Sequence, residues 1–330
     1  MSRSYVILGG NGPFGVHTAD YLLKHANPRK VVCVGRNPEK AAPFSLDVGK
    51  GDDRYEYQQI HLVYEQDRLF ELFDRLKPEV IINFAALAHG ASWTKSWRFY
   101  DTNVTSMAKM VEELTRRSYL ERWIQVGSSE LYGAVTAPAT EDFPTNATSP
   151  YSVSKLAGDL HLISMFNVMK FPMNIIRPSN AYGPGQQLYR VLPRAVVCGL
   201  TGRKLPLEGG GGAKKSYIHA RDLASALHLI AEKAPLGRIY NAGPKDPISI
   251  RELVEALASE LRMPFDSLVE VKPGRPGEDA QYWLDSTRIK TELGWEPEVS
   301  IAEGMRDMVA WGRRYLPELT DASAEYVLRA

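Results

Sequence analysis

The sequence has little of three features that would each point to a particular class of protein. It has two cysteines, Cys33 and Cys198, far apart, so a disulfide framework is excluded, and its seven histidines show no metal-site spacing. It has no apolar run of the roughly 18 residues that span a bilayer. Its net charge is only +1, so no overall field attracts nucleic acid or an anionic membrane. We therefore expect no metal, nucleic-acid or membrane partner.

The remaining composition is that of an ordinary globular protein. The chain has 330 residues, of which 44% are hydrophobic and 24% charged. This length suits two domains, or one domain with a substantial annex. It also allows a large core without disulfides or a structural metal. The chain begins Met1-Ser2-Arg3-Ser4 without an apolar signal region, and Cys33 reads as a buried free thiol. A cytoplasmic location is therefore expected.

Short apolar runs alternate with amphipathic stretches in the first half. The runs predict strands at 5–8, 31–34, 80–84 and 123–126, with later strands at 174–176 and 239–240. The amphipathic stretches predict helices at 18–25, 69–76, 104–117 and 151–169. Buried strands alternating with helices are typical of βαβ units, so we expect an α/β fold with a doubly wound, Rossmann-type parallel sheet.

The rhythm changes after Arg177, where proline and glycine become frequent. We expect residues 1–177, with a return to the sheet at roughly 217–247, to form a dinucleotide-binding domain. Residues 178–216 and 248–330 are expected to form a smaller α/β lobe that binds the substrate.

A glycine motif joins the first predicted strand to the first helix. Gly9, Gly12 and Gly15 have the spacing G-x-x-G-x-x-G. Glycine lets the backbone approach a pyrophosphate, and the helix N-terminus offers free N–H groups to it. The motif therefore predicts a dinucleotide site.

Arg36 follows the second predicted strand, where an acidic residue would bind the ribose hydroxyls of NAD. An arginine there suits a 2′-phosphate. NADP is accordingly favoured, and NAD stays open.

A second constellation predicts proton and hydride transfer. Ser128 follows the strand at 123–126, and Ser149-Pro150 is a helix-start signal for the helix that carries Tyr151 and Lys155. Tyr151 and Lys155 share a helical face, so the lysine charge is expected to lower the tyrosine pKa. The phenolate could then take a proton from a sugar hydroxyl while hydride leaves the carbon.

These motifs resemble those of the extended short-chain dehydrogenase/reductases that act on nucleotide sugars, most of all the dTDP-glucose and GDP-mannose 4,6-dehydratases. The resemblance covers nearly the whole chain. Besides the motifs above, it rests on Asn83-Phe84-Ala85-Ala86, Thr102-Asn103, Ser128-Ser129-Glu130-Leu131-Tyr132-Gly133, the run from Arg177 to Pro184, Arg275-Pro276-Gly277-Glu278-Asp279 and Glu292-Leu293-Gly294-Trp295.

The resemblance implies an NAD(P)-dependent lyase, a nucleotide-diphosphate sugar as substrate and a homodimer built on helices near 97–117 and 151–169. It implies that Tyr151 and Lys155 touch the cofactor, together with further contacts at Asn11, Pro13, Phe14, Asn37, Leu62, Phe84, Ala85, Ala86, Asn103 and Arg177. It implies substrate contacts at His89, Asn180, Arg190, Lys215, Tyr217 and Arg275.

Glu130 favours the dehydratases within this superfamily. Oxidation at C4 of the sugar makes the C5 proton acidic, and a carboxylate can remove it while water leaves C6. Epimerases usually carry a small or uncharged residue at this position. Ser129 departs from the Asp of the dTDP-glucose enzymes and matches the GDP-mannose enzymes, so Glu130 could act as both base and acid.

Other departures bear on the nucleotide rather than on the reaction. Lys215-Ser216-Tyr217 replaces the Arg-Asp-Trp run of the dTDP-glucose enzymes, and His61-Leu62 replaces the usual Asp-Ile beside adenine. The base and the sugar are therefore left open. Three alternatives also stay open: a UDP-glucuronate-type decarboxylase, a 4-epimerase or keto-sugar reductase, and a non-catalytic cofactor-binding sensor.

Overall fold

The structure, a computed structural model, describes residues 2–87, 93–273 and 281–322. Fourteen strands lie within these ranges. In chain order they are β1 (Ser4–Leu8), β2 (Lys30–Gly35), β3 (Tyr55–Gln59), β4 (Val80–Asn83), β5 (Arg122–Val126), β6 (Met173–Pro178), β7 (Asn180–Tyr182), β8 (Leu205–Glu208), β9 (Lys214–Lys215), β10 (Tyr217–His219), β11 (Ile239–Ala242), β12 (Ile248–Ser249), β13 (Val269–Lys272) and β14 (Gln281–Tyr282).

Thirteen α-helices lie within the same ranges. They are α1 (Pro13–His25), α2 (Ala42–Ser45), α3 (Gln66–Leu76), α4 (Trp97–Tyr100), α5 (Ser106–Leu114), α6 (Pro150–Met169), α7 (Val191–Leu200), α8 (Ala220–Lys233), α9 (Ile250–Glu260), α10 (Phe265–Leu268), α11 (Thr287–Leu293), α12 (Ile301–Arg314) and α13 (Leu316–Asp321). A π-helical turn at Asp101–Thr105 joins α4 to α5, and a 3-10 turn at Ser129–Tyr132 follows β5.

Seven parallel strands form the central sheet, in the order β11-β6-β5-β4-β1-β2-β3. Helices α1 and α8 pack on one face, around Val16, Leu22 and Leu227. Helices α3, α5 and α6 cover the other face, around Phe73 and Met110. The predicted doubly wound parallel sheet is confirmed, and the order reverses beside β1, where such sheets bind ligands at the carboxyl ends of their strands.

A separate apolar core unites the C-terminal helices with α7. Leu192, Leu253 and Met308 lie in it, and the short β8–β13 pair packs against the same helices. The proposed domain boundaries stay a prediction. Ile289 and Trp295, which those boundaries give to the lobe, pack in the core beneath the central sheet with α1 and α8.

Candidate active site

One cavity of about 430 Å³ opens at the carboxyl ends of the central strands. Its walls come from the loops after β1, β2, β3, β4, β5 and β6, and from the start of α6. That volume lies in the range of ordinary small-molecule sites. The predicted cofactor and catalytic motifs therefore meet in a single space.

The glycine loop after β1 forms a backbone cradle at one end of the cavity. Gly9 has φ +77°, and a Cβ there would lie 2.8 Å from the backbone nitrogen of Ala85. A Cβ at Gly15 would lie 2.7 Å from the Cα of Gly10. Helix α1 begins directly after this turn, with no side chain capping its first N–H groups. Free amides and a positive helix end suit a pyrophosphate, so the loop fits a dinucleotide.

Asn11 ties the glycine loop to the loop after β2. Its Nδ2 donates to the Pro38 carbonyl at 2.8 Å, and its Oδ1 accepts from the Lys40 backbone N–H at 3.2 Å. Arg36 and Lys40 both line the cavity. Burial lowers the pKa of Lys40 to about 8. Lys40 was not predicted from the sequence.

Helix α6 places Tyr151 and Lys155 on the cavity wall. Ser149 caps the helix by accepting from the Ser152 N–H at 3.1 Å, and Ser152 bonds back in a capping box. Lys155 is buried, and its Nζ donates to the Val126 carbonyl at 2.6 Å. This bond fastens the helix to the end of β5, which is followed by Ser128.

Ser128, Ser129 and Glu130 line the cavity beside Tyr151. Ser128 hydrogen-bonds Tyr151, and its Oγ also accepts from the Glu130 N–H at 3.2 Å. The Glu130 charge lies close enough to raise the pKa of Tyr151. The three side chains and Tyr151 therefore form one cluster.

The prediction that the Tyr151 pKa is lowered is wrong for the protein without its cofactor, in which this pKa is raised. Burial raises this pKa, and the Glu130 charge raises it further. The hydrogen bond from Ser128 and the Arg190 charge act in the opposite direction and do not outweigh burial. Burial also lowers the pKa of Lys155, to about 8. The sequence interpretation had left out the cost of burying both groups.

Most of the other predicted contacts line the cavity. They are Gly9, Asn11, Gly12, Pro13, Phe14, Gly15, Arg36, Asn37, Leu62, Phe84, Ala85, Ala86, Asn180 and Arg190. His89 and Arg275 lie outside the described residues. The cavity wall also includes Gln186, Gln187 and Tyr189, for which the sequence gave no prediction.

Arg177 and Asn103 are placed behind the wall rather than on it. The Arg177 Nε donates to Asp159 at 2.9 Å and its Nη1 donates to the Tyr132 hydroxyl at 2.8 Å. The Asn103 Oδ1 accepts from the Leu87 N–H at 2.8 Å. Both side chains brace the elements that carry the site, because each is buried among polar partners.

Lys215 and Tyr217 also lie outside the cavity lining. Lys215 is on β9, where its Nζ lies 5.4 Å from the Tyr282 ring centre, and Tyr217 is on β10. Their predicted substrate contacts stay predictions.

Two further properties of the described residues concern metals and membranes. No three histidine, cysteine, aspartate or glutamate side chains in ranges 2–87, 93–273 and 281–322 lie close enough to hold a metal ion. No helix in that part of the chain is both long and apolar enough to cross a bilayer.

Comparison with known proteins gives consistent matches. The sequence model described as GDP-mannose 4,6 dehydratase matches residues 6–308. The dTDP-D-glucose 4,6-dehydratase of Mus musculus is 30% identical over 321 residues, which cover 95% of this chain and 90% of the mouse protein. The dTDP-glucose 4,6-dehydratase of Streptomyces griseus is 29% identical over 319 residues, covering 96% and 95%.

A solved structure agrees with these matches. The dTDP-glucose 4,6-dehydratase of Bacillus anthracis, in complex with NAD, superimposes with a TM-score of 0.85 at 26% identity. The superposition covers 95% of this chain and 97% of that one.

Proposed function

Since the chain belongs to the GDP-mannose 4,6-dehydratase family and is an NAD(P)-dependent nucleotide-sugar 4,6-dehydratase, we propose which of its residues carry each step. Tyr151, Lys155 and Ser128 serve the oxidation at C4 of the sugar. Glu130 serves the elimination of water across C5 and C6. The product is a 4-keto-6-deoxy sugar nucleotide.

Tyr151 is the base for the oxidation. It accepts the O4 proton while the C4–H bond breaks with its electron pair, and Ser128 holds the same hydroxyl. Lys155 supplies a positive charge that favours the phenolate against the effect of burial. An oxidised nicotinamide bound in the cavity would supply a second positive charge and would carry the hydride between C4 and C6.

Glu130 removes the C5 proton once the C4 ketone has made it acidic. The C6–O bond then breaks, and the hydroxide takes a proton to leave as water. Because Ser129 offers no carboxylate, Glu130 passes on the proton that it has just accepted. The two protons taken from O4 and C5 thus supply one to water and one back to C5, and no net oxidation occurs.

One observation carries this assignment. Glu130 and Tyr151 line the same cavity, and the Glu130 carboxylate is close enough to affect the Tyr151 pKa. A sugar ring whose C4 hydroxyl meets Tyr151 would bring its neighbouring carbon, C5, toward Glu130. Because C4 and C5 are directly bonded, the groups that act on them must also lie side by side.

The test is a panel of sugar nucleotides followed by mass analysis of the products. Loss of water, with solvent deuterium entering C5, supports the proposed roles. Loss of carbon dioxide would overturn these roles and indicate a decarboxylase. An unchanged mass would overturn them and indicate an epimerase.

Among the nicotinamide dinucleotides, we propose that the cofactor is NADP. Arg36 and Lys40 line the cavity after β2, and Glu130 is the one carboxylate among the described residues that line it. A ribose 2′-phosphate needs cations, whereas an unmodified ribose is held by an acid. Denaturing the purified protein and identifying the released dinucleotide tests this, and NAD alone would overturn it.

The partner proposals are a nucleotide-diphosphate sugar and a second copy of the chain. Arg190 and Asn180 face the cavity from the lobe side and can hold a diphosphate. Trp97 is 58% exposed, Val153 39% and Leu160 56%, on α4 and α6, which pack together. Exposed apolar side chains on two helices that pack together favour a partner, here the homodimer expected of α4–α6.

A cytoplasmic location is also proposed. Cys33 and Cys198 are both buried and unpaired, as a reducing compartment allows. Fractionation of cells that express the chain would test it, with a secreted protein as the contrary result.

A further inference from the structure

A third polar residue, which is charged, shares the catalytic face of α6. Asp159 follows Lys155 by four residues, as Lys155 follows Tyr151. Residues with this spacing lie one above another on a helix. Asp159 is completely buried, at 0% exposure. Aspartate is rarely buried in this way unless its charge is paired with an opposite charge.

Only half of this carboxylate is satisfied by hydrogen bonds. Its Oδ2 accepts from the Arg177 Nε at 2.9 Å, whereas its Oδ1 is buried with no hydrogen-bond partner among the described residues. A Cβ at Gly127 would lie 3.4 Å from this Oδ1. Gly127 joins Val126, whose carbonyl holds the Lys155 Nζ, to Ser128. The unpartnered oxygen therefore lies beside the strand end that carries the catalytic groups.

Asp159 acts on Lys155 through its charge. Burial lowers the pKa of Lys155 to about 8, and the Asp159 charge limits that fall. In return, Lys155 and Arg177 both counteract the effect of burial on the pKa of Asp159. The buried Asp159 anion thus interacts with two cations, with Arg177 in an ion pair at 2.9 Å and with Lys155 through its charge.

Other groups complete the electrostatic surroundings. Glu130, on the turn after β5, and Arg190, before α7, act on Tyr151. Tyr132 accepts from Arg177 and donates to Asn241 at 2.9 Å, and the Glu141 carbonyl accepts from the Arg177 Nη1 at 3.4 Å. The network behind Arg177 keeps the guanidinium, and with it Asp159, in one place.

We propose that Asp159 is a positioning residue for the oxidation step, because its buried carboxylate holds the positive charge of Lys155 at the end of β5. Arg177 and Tyr132 hold the carboxylate in turn. This rests on the proposed role of Lys155 in the C4 oxidation. It adds to the Tyr151–Lys155 pair a third residue that never meets the substrate.

The change to test is Asp159→Asn, which keeps the shape and removes the charge. Loss of a nearby opposite charge lowers a lysine pKa. The Asp159 charge also raises the pKa of Tyr151, so its loss lowers that pKa as well. We expect the whole pH profile of nicotinamide reduction to move to lower pH. The alkaline rate falls on the order of tenfold for a shift of one unit.

Two variants separate this role from a structural one. In Asp159→Asn, the buried Arg177 loses its carboxylate partner, and adding Arg177→Gln removes this unpaired charge. A merely structural defect is then relieved, whereas the shifted pH profile persists. Asp74→Asn is the matched control, because Asp74 accepts from the Arg117 Nε at 2.7 Å in an exposed pair. It should leave the profile unchanged.

A readout independent of activity is the NMR titration of lysine-labelled protein, with the Lys155 signal identified by its loss in Lys155→Met. A lower Lys155 midpoint in Asp159→Asn supports the proposal. An unchanged midpoint overturns it, even if activity falls. If instead the midpoint shifts but no nucleotide sugar reduces the cofactor in the unaltered protein, the proposed reaction fails while the Asp159–Lys155 coupling stands.

Discussion

At the scale of single residues, Lys40 is a half-buried cation on the cavity wall. No carboxylate among the described residues forms an ion pair with it, and burial lowers its pKa to about 8. A dinucleotide phosphate beside it would raise that pKa, so binding would take up a proton. Lys40 is therefore expected to make cofactor affinity depend on pH.

The expected result is a dissociation constant that rises with pH above about 8, by up to tenfold per pH unit. Lys40→Met should weaken binding at neutral pH and flatten this dependence. Calorimetric titrations at several pH values measure both effects. The control is Lys24→Met, whose exposed side chain pairs with Asp20. An unaltered pH slope in Lys40→Met would rule out the phosphate contact.

The sequence was most informative where one residue type is required locally. The backbone approaches so closely at Gly9 and Gly15 that only glycine fits there. Tyr151 and Lys155 are four residues apart and therefore share a helical face. These positions were predictable for those local reasons. The partners of Arg177 were not predictable, because Asp159 and Tyr132 come from two other elements. Long-range pairing of this kind has no local signature.

At the scale of elements, the π-helical turn at Asp101–Thr105 has a structural use. The sequence predicted a regular helix from 104, whereas the structure widens the turn before α5. Asn103 in this turn accepts from the Leu87 N–H and donates to the Ser154 Oγ at 2.9 Å. The turn thus ties the loop after β4, which lines the cavity, to α6.

Asn103→Ala should destabilise both the fold and the cofactor site. It leaves the buried Leu87 N–H without its acceptor, which costs about 1 to 3 kcal/mol. Denaturant unfolding measures the loss, and a parallel cofactor titration should show weaker binding. Thr105→Ala, at an exposed position of the same turn, is the control. Equal stability and affinity for the two variants would contradict this role.

The central strands were predictable because they are buried on both faces and carry apolar runs. Strand β3, Tyr55–Gln59, lies at the sheet edge and is only partly buried, so its alternating polar sequence gave no such signal. The two-residue strands β9, β12 and β14 pair only with one another. Tertiary contacts, rather than local propensity, determine elements this short.

At the scale of the whole molecule, α6 joins the active site to the proposed dimer surface. Tyr151 and Lys155 face the cavity, while Val153 and Leu160 are exposed on the same helix. Leu160→Glu should therefore shift the protein from dimer to monomer in sedimentation, because it places a charge in an apolar contact. Leu236→Glu, at a residue 41% exposed outside α6, should leave the dimer intact. A wild-type monomer, or a Leu160→Glu dimer, would refute the surface.

The whole-molecule account depends most on Glu130, because the oxidation step alone is common to many enzymes of this fold. The most direct measurement follows both half-reactions in Glu130→Gln with a nucleotide sugar that the wild type dehydrates. Absorbance of the reduced nicotinamide reports the oxidation, and mass analysis reports loss of water. Glu112→Gln, at an exposed residue of α5, is the matched control.

The account predicts that Glu130→Gln still reduces its cofactor but releases no 4-keto-6-deoxy product, since Tyr151, Lys155 and Ser128 are intact and the C5 base is gone. Formation of that product at the wild-type rate would contradict it.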